Sequence, residues 1–228
     1  MESRFEVKNN RELKLIALRA AIGIVIAAIL ITVLVVISSK TPYYILTDEQ
    51  ISSAVANNEY ASDEQRIFIE SALSLVGKVN YFWGGKCYKI GPDEDWGTSR
   101  LVTSPGHSTS DTMQPYGLDC SGYVSWCYIQ LGFDKQGMIE GIGNGTWNQW
   151  EKSTAVKKRN VQLGDLAFID AYPDASGNHV GICVGFLENG EPLIAHCSNT
   201  QNNVVVSTCG DEFIYFRRPS FLSDQNGI

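Results

Sequence analysis

The segment YGLDCSGYVSWC, residues 116–127, contains two cysteines seven positions apart. Cys120 follows Asp119, a good helix-capping residue, and opens a run with helical spacing of apolar residues that ends at Gly132. The free N–H groups at a helix start stabilise a thiolate, and those of Cys120 and Ser121 could also bind an oxyanion. The pattern therefore predicts a nucleophile at Cys120, with half of a disulfide and a small apolar filler as the alternatives. Cys127 is predicted to fill the core.

A cysteine nucleophile needs a histidine as its base, and that histidine needs a polar group to orient it. The chain has three histidines: His107 in a polar segment, His179 at the start of a strand-like run, and His196 near the end of the next run. A single histidine in a strand is usually a packing or surface residue. Two histidines on consecutive strands, after a cysteine at a helix start, predict a catalytic set.

The distance between the two histidines depends on the turn that joins their strands. Asn189-Gly190 is a strong hairpin signal. A two-residue turn centred there would place His196 opposite Cys183, about 13 Å along the strand from His179. A bulge or a longer loop must then bring the histidines together, or Ser198 or Thr200 orients His179 instead.

The six cysteines do not form an obvious disulfide or metal framework. If Cys120 is a working thiol, five remain, so at least one more is free. The chain has no Cys-x-x-Cys pair of the kind found in zinc ribbons, and Asp93 with Asp95 is weak support for calcium. We expect few or no disulfides, no metal and no cofactor.

The order of elements predicts an α+β fold in which helices precede an antiparallel sheet or half-barrel. A short helix is expected near Asp48, and a second one begins at Ser62 with a capping box to Gln65. Between them and the Cys120 helix lies a polar segment, residues 86–116, which could form a wall of the site or a surface insert. Five short β-rich runs follow, at 166–169, 179–186, 193–198, 204–208 and 213–216.

The N-terminal segment contains a run without polar side chains, residues 20–37. As a helix it would be about 27 Å long, close to the thickness of a bilayer core. A membrane anchor is favoured over a cleaved signal peptide or a buried core helix. The whole chain has a net charge of −7. Residues 1–40 carry a net charge of +3, so the remaining residues carry a net charge of −10. The positive-inside rule predicts a cytoplasmic N-terminus, and the acidic outer part argues against nucleic acid as a partner.

Five motifs occur in a fixed order: YFWGG, LDCSGYV, GDL, HVGICVG and IAHCS. Together they resemble the NlpC/P60 family of papain-like cysteine peptidases over residues 62–218. The resemblance implies Cys120 as the nucleophile, His179 as the base and His196 as the third polar residue. It also implies cleavage of peptidoglycan stem peptides, commonly at the bond between D-γ-glutamate and the diamino acid.

The same resemblance implies three substrate-binding residues. Tyr81, from the YFWGG motif, would line the site. Asp119 and Ser121, which flank the nucleophile, would bind the free amine of a stem peptide.

These observations divide the chain into a cytoplasmic tail (1–14), a transmembrane anchor (15–39), a linker (40–61), the catalytic domain (62–218) and a C-terminal tail (219–228). The expected protein is a single-pass hydrolase of the bacterial cell membrane, with its catalytic domain outside. Its partners would be stem peptides, the membrane and envelope, secretion or conjugation machinery. The alternatives are an amidase or acyl/peptidyl transferase with the same thiolate, and a non-catalytic wall-binding module.

Overall fold

The computed structural model describes residues 18–19, 21–27, 43–171 and 178–223. The chain divides into two compact units, Met1–Thr41 and Pro42–Ile228. The described residues of the first unit are helical. Within the described ranges, no helix has the length and apolar character needed to cross a membrane. Most of the predicted anchor, residues 15–39, lies outside the described residues, as does the end of the predicted C-terminal tail.

The second unit is built on a six-stranded antiparallel sheet with the strand order β3-β8-β4-β5-β6-β7. The predicted α+β layout is confirmed, and all five predicted strands are present. The structure adds β3, a short strand that the sequence pattern did not indicate. The strands are β3 Ser153–Val156, β4 Leu166–Phe168, β5 Val180–Phe186, β6 Pro192–Ser198, β7 Asn203–Thr208 and β8 Tyr215–Pro219.

Most of the helices precede the strands of this sheet in the chain. They are α1 Asp48–Val55, α2 Asp63–Ser74, α3 Cys120–Ile129, α4 Lys135–Gly141, α5 Thr146–Glu151 and α6 Ser220–Ser223, with a 3₁₀ turn at Lys158–Asn160. The cap at Ser62 is confirmed, because its hydroxyl accepts from the Gln65 N–H at 3.1 Å. The Gln65 side chain does not close the predicted box, since its oxygen accepts from the Ala61 N–H at 2.7 Å.

Helix α3 forms the centre of the core, and every one of its residues is buried. It packs against α2 on one side and against β5 and β6 on the other. The hydroxyl of Tyr123, which is fully buried, donates to the Ala72 carbonyl of α2 at 3.0 Å. A helix enclosed on all sides has little freedom to shift, so the residue that begins it is held rigidly.

The segment preceding α1 lies against the sheet. The Leu46 N–H donates to the Val206 carbonyl at 2.9 Å, and the Thr208 N–H donates to the Tyr44 carbonyl at 3.0 Å. Helix α1 then begins with a full capping box between Thr47 and Gln50. The short helix predicted near Asp48 is thereby confirmed.

The polar segment 86–116 contains a two-stranded antiparallel sheet of its own, β1 Ser99–Leu101 and β2 Met113–Pro115. One end of the segment is fixed to α3, because Trp126 Nε1 donates to the Gly91 carbonyl at 3.1 Å. The ring of Trp96 also meets the ring of Trp126 edge-on, with centroids 5.7 Å apart. These contacts explain how a long segment without periodicity can be ordered.

A buried ion pair stabilises the centre of the sheet. Asp165, which is fully buried, accepts from Arg218 Nε at 2.8 Å and from Arg218 Nη2 at 2.9 Å. Its second oxygen also accepts from the Gln162 N–H at 2.8 Å. The pair joins the chain before β4 to β8, and the bidentate geometry fixes the angle between them.

Candidate active site

Cys120 is the first residue of α3, and Asp119 caps the helix by accepting from the Gly122 N–H at 2.6 Å. The Cys120 side chain faces β5, where the Val180 N–H lies within hydrogen-bonding reach of the sulfur. Only 6% of Cys120 is exposed. The helix start predicted from the sequence is therefore present, and it holds the thiol against the strand that follows His179.

Burial raises the pKa of the Cys120 thiol to about 12, and the neighbouring Asp119 carboxylate acts in the same direction. The Lys86 ammonium and the N–H groups of Val180 and Ser121 lower the pKa of the thiol. Desolvation is the larger effect, so the thiol of the free protein is neutral at pH 7. A thiolate at this position has to be formed by transfer of the proton to a nearby base.

The two predicted histidines meet directly. His179 Nε2 and His196 Nδ1 are 2.8 Å apart, and the ring planes are nearly perpendicular at 82°. His196, and neither of the alternatives Ser198 and Thr200, is the residue in contact with His179 Nε2, and the Ser198 hydroxyl instead accepts from the Gln201 N–H at 3.3 Å.

The hairpin between β5 and β6 does not have the two-residue turn that was assumed from Asn189-Gly190. The Leu187 N–H donates to the Glu191 carbonyl at 2.9 Å, so the loop contains three residues and ends at Gly190, whose φ is +81°. A second irregularity lies between Cys183 and Gly185. Each feature shifts the pairing by one residue, which brings His196 two residues nearer to His179 than the simple turn would.

A further hydrogen bond sets the tautomers of both rings. The Ser207 hydroxyl donates to the Thr208 carbonyl at 3.0 Å, so its oxygen accepts from His196 Nε2 at 3.2 Å. His196 Nδ1 is then unprotonated and accepts from His179 Nε2–H. The result is that His179 Nδ1 carries no proton and can receive one from a thiol.

His196 is fully buried and His179 is partly buried, and aromatic rings pack against both. Burial lowers the pKa of His179 to about 4, against a smaller opposing effect of the Asp119 carboxylate. Burial also lowers the pKa of His196 well below its usual value, and His179 adds to this effect. The Phe213 ring lies 5.7 Å from the His179 ring and 5.2 Å from the His196 ring, and the Tyr43 ring meets His196 edge-on at 5.4 Å.

Asp119 and Ser121 are in contact with a lysine that the sequence did not single out. Lys86 Nζ lies 2.6 and 2.7 Å from the two carboxylate oxygens of Asp119 and 2.8 Å from the Ser121 hydroxyl. The Ser121 hydroxyl in turn donates to Asp119 Oδ1 at 2.8 Å. The role of Asp119 and Ser121 in substrate binding stays a prediction, and Lys86 joins them as a residue of the same cluster.

Tyr81 lies near Cys120, and its role in lining the substrate site stays a prediction. It forms a parallel bridge with Leu118, two residues before Cys120. Burial raises the pKa of its phenol, and Cys120 and Asp119 contribute in the same direction. The protonated phenol is therefore a hydrogen-bond donor at the edge of the site.

A later part of the polar segment 86–116, which contains His107, lies close to Tyr81. The His107 ring stacks on Trp83 at 5.0 Å and lies 6.2 Å from the Tyr81 ring. His107 Nε2 also contacts the Asn199 amide at 3.1 Å, in the turn after β6. This half of the segment is placed where a wall of the site would be, and its role as a wall stays a prediction.

Three residues of this region were not predicted from the sequence: Lys86, Ser207 and Tyr43. Lys86 directly follows Gly84-Gly85, so a basic residue in the turn of the YFWGG motif was the available signal. Ser207 and Tyr43 gave none, because their contacts depend on strand pairing. All six cysteines are free and buried. Among the residues that the structure describes, no group of three or more His, Cys, Asp or Glu side chains could hold a metal ion.

The six predicted site residues thus come together where α3 begins and where β5 and β6 pair. A proton acceptor, a thiol and free N–H groups in one place are what acyl transfer by a cysteine requires. The chemical roles of these residues stay predictions.

Comparison with known proteins identifies the family of this chain. Residues 78–217 match the model of the NlpC/P60 family. A probable endopeptidase of Haemophilus influenzae is 26% identical over 163 residues, which cover 71% of this chain and 81% of that protein.

Two solved structures from Mycobacterium tuberculosis are also similar. The peptidoglycan hydrolase RipB has 24% identity and a TM-score of 0.46, covering 69% of this chain and 65% of its own, so this chain spans just under two thirds of it. RipD, described as a non-catalytic NlpC/p60 domain protein adapted to peptidoglycan binding, has 18% identity and a TM-score of 0.45, covering 69% of this chain and 98% of its own. Because the family model matches more than half of its residues, the chain belongs to the NlpC/P60 family.

Proposed function

We propose that this protein is a membrane-tethered cysteine endopeptidase that cleaves peptidoglycan stem peptides. The single observation that carries the proposal is the 2.8 Å contact between His179 Nε2 and His196 Nδ1 beside a thiol at a helix start. Family membership and the endopeptidase relative support the reaction class. The tether is inferred from the apolar run at residues 20–37.

The proposed mechanism begins with a neutral pair. His179 Nδ1 takes the proton of Cys120 as the sulfur attacks the carbonyl carbon, which produces an imidazolium next to a tetrahedral intermediate. The His196 Nδ1 lone pair stabilises the imidazolium through the existing hydrogen bond. The charge is created only during the reaction, because burial disfavours it in the free protein.

The oxyanion would be held by backbone N–H groups at the start of α3. The Gly122 N–H is already used by Asp119, and the Tyr123 N–H donates to the Asp119 carbonyl at 2.9 Å. The Ser121 N–H interacts with the Cys120 sulfur, so the N–H of Cys120 and the phenol of Tyr81 are the donors assigned to the oxyanion. His179 then protonates the leaving amine, and water hydrolyses the acyl-enzyme and restores the thiol.

The bond assigned to the enzyme is the one between D-γ-glutamate and the diamino acid. This choice rests on the family resemblance, and the test determines it directly. The full chain, purified in detergent, is incubated with isolated cell-wall sacculi, and the released muropeptides are identified by mass spectrometry. We expect products ending in D-γ-glutamate and products starting with the diamino acid.

Cys120→Ala is the matched inactive variant, and Cys127→Ala is the control for loss of a buried thiol on the same helix. Cys120→Ala is expected to release no product above background, while Cys127→Ala retains turnover in the fraction that folds. Equal product from Cys120→Ala and wild type would show that the mechanism is wrong. Products without added water would identify a transferase, and binding without any product would identify a wall-binding module.

A further inference from the structure

A carboxylate and a hydroxyl flank the proposed nucleophile, and together they have the chemistry of an ammonium-binding pair. Asp119 supplies negative charge and Ser121 supplies a lone pair, both at the start of α3. In this chain the ammonium they hold is internal. Lys86 Nζ contacts three oxygens of the pair at 2.6, 2.7 and 2.8 Å, which matches the three protons of its ammonium.

The lysine is built into this position and does not lie on the surface. Its side chain is 19% exposed, and that of Asp119 is 10% exposed. The backbone on either side is fixed, since the Asp119 N–H donates to the Gly85 carbonyl at 3.1 Å and the Tyr116 hydroxyl donates to the Lys86 carbonyl at 2.7 Å.

The helix is also shaped to accept the lysine stem. A Cβ added to Gly122 would lie 2.0 Å from the Gly85 carbonyl oxygen and 3.1 Å from Lys86 Cδ. Only glycine at this position allows the turn that carries Lys86 to approach the first turn of α3 so closely. The lysine, the turn and the helix therefore form one packed unit.

The consequence concerns which substrate can bind. A free amine entering this cluster would need to displace Lys86 or share its three acceptors with a second positive charge. Both are unfavourable, because the acceptors are already used and like charges repel in a poorly solvated site. An amide nitrogen carries no charge, so it does not need to displace Lys86 and does not place a second positive charge beside it.

We propose that Lys86 closes the ammonium site beside Cys120, so that this enzyme selects stem peptides whose amino terminus is in an amide bond and not free. Such peptides are those still joined to the glycan, so the enzyme acts on glycan-linked stem peptides and not on free stem peptides already separated from the sugar. This inference rests on the proposed function, which it makes more specific.

The test compares two forms of one synthetic stem peptide that contains the D-γ-glutamyl–diamino acid bond. One form has a free amino terminus, and the other is acetylated. The ratio of their kcat/KM values is measured with the full chain. We expect wild type to favour the acetylated peptide by about 10-fold or more, equivalent to about 1.4 kcal/mol. Preference of wild type for the free-amine peptide overturns the proposal without reference to any variant.

Lys86→Met keeps the length of the stem and removes the charge. It is expected to shift the ratio at least about 10-fold toward the free-amine peptide, because Asp119 then lacks a cation. Any effect on the reactivity of the thiol acts on both peptides and cancels in the ratio. Lys89→Met is the matched control, since Lys89 lies in the same segment, pairs with Asp93 at 2.8 Å and is 62% exposed. It should leave the ratio unchanged.

The double variant Lys86→Met/Asp119→Asn tests the cause of the shift. Asparagine still caps a helix but carries no charge, so the preference gained in Lys86→Met should be lost again. An unchanged ratio across wild type, Lys86→Met and the double variant contradicts the proposal.

Binding separates this inference from the proposed function. The affinity of both peptides is measured with Cys120→Ala and with Cys120→Ala/Lys86→Met. If wild type cleaves neither peptide but the affinity ratio shifts as expected, the proposed function fails and the role of Lys86 stands. If neither peptide binds, or the affinity ratio does not move, the role of Lys86 is wrong.

Discussion

Two buried carboxylates in this protein are each bound by one cation, yet their surroundings differ. Asp165 is fully enclosed and is held by the two-pronged guanidinium of Arg218 in the middle of the sheet. Asp119 lies at a helix start beside Cys120 and is held by the single ammonium of Lys86. The first pair joins strands, whereas the second lies next to Cys120 and affects the pKa of its thiol.

The comparison shows that similar ion pairs can have different functions according to what they touch. Arg218 also donates to the Asn160 carbonyl at 3.1 Å, so its contacts lie within the sheet and its flanking turn. Lys86 instead donates a hydrogen bond to the hydroxyl of Ser121, the residue that follows Cys120. Removing Arg218 should therefore change stability, and removing Lys86 should mainly change chemistry and specificity.

Arg218→Met is expected to cause the largest loss of stability. It leaves the Asp165 carboxylate buried without a cation, with only the Gln162 N–H as a donor, which lowers the free energy of unfolding by about 3–5 kcal/mol. Denaturant unfolding followed by tryptophan fluorescence measures this change. The kcat of the folded fraction should equal that of wild type, and a loss of kcat in fully folded protein would contradict the distinction drawn here.

Arg66→Met is the control for removing an arginine from an ion pair. Arg66 binds Asp63 and Glu70 at 3.0 and 3.1 Å, and its side chain is 42% exposed. Exposed pairs contribute little, so the change should remain below about 1 kcal/mol.

Acid should destabilise the protein through a third polar group, the histidine pair, in which His196 is fully buried and His179 is partly buried. The pKa of His179 is lowered from its ordinary value of 6.5 to about 4, and that of His196 is lowered as well. The unfolded chain therefore binds more protons below pH 6.5, and stability present above that pH is lost as the pH falls toward 4. For His179 alone the loss is roughly 3 kcal/mol.

Unfolding curves between pH 7 and pH 4 measure this loss. His196→Gln should reduce the dependence on pH, because one of the two titrating rings is absent. Equal dependence in this variant and in wild type would mean that other groups cause the acid sensitivity.

Ser207→Ala should affect the reaction without affecting either ion pair. Loss of the hydroxyl removes the acceptor for His196 Nε2–H, so the tautomers of both rings are no longer fixed. We expect kcat to fall about 10-fold, equivalent to about 1.4 kcal/mol, with KM unchanged. Ser207→Thr, which keeps a hydroxyl, should restore kcat, and failure of this rescue would assign Ser207 to packing alone.

Lys86→Met should cost less stability than Arg218→Met, about 1 kcal/mol, because Asp119 keeps the Gly122 N–H and the Ser121 hydroxyl as donors. Its chemical effect should be clearer. Lys86 lowers the pKa of Cys120, so the variant thiol should have a higher pKa and react more slowly with iodoacetamide at pH 8. Alkylation followed by intact-mass measurement tests this, and a faster reaction than in wild type would contradict the assignment.

Local sequence signals predicted much of this site. The cap at Asp119 and the apolar spacing after it placed Cys120 at a helix start, and β-rich runs placed both histidines on neighbouring strands. The pairing of the histidines could not be derived, because it depends on two one-residue shifts within β5 and its loop. Such shifts are decided by packing of the whole sheet and leave only a weak mark in the sequence.

Contacts between segments that are distant in the sequence could not be predicted either. Lys86 and Asp119 are 33 residues apart, and nothing in either segment specifies the partner of the other. Strand β3 was missed for the same reason, since its four residues become a strand only by pairing with β8. Four residues without strong alternation are too short for a reliable pattern.

The pairing of Tyr44 and Leu46 with β7 has a practical consequence for anyone preparing a shortened version of this protein. β7 is the last strand of the sheet, and these residues occupy part of its open edge. A truncation that starts after Thr47 would uncover that edge, which invites pairing between molecules, and would remove the Tyr43 ring from His196. A useful expression boundary therefore lies before Tyr43, well upstream of the first residue that family motifs would suggest.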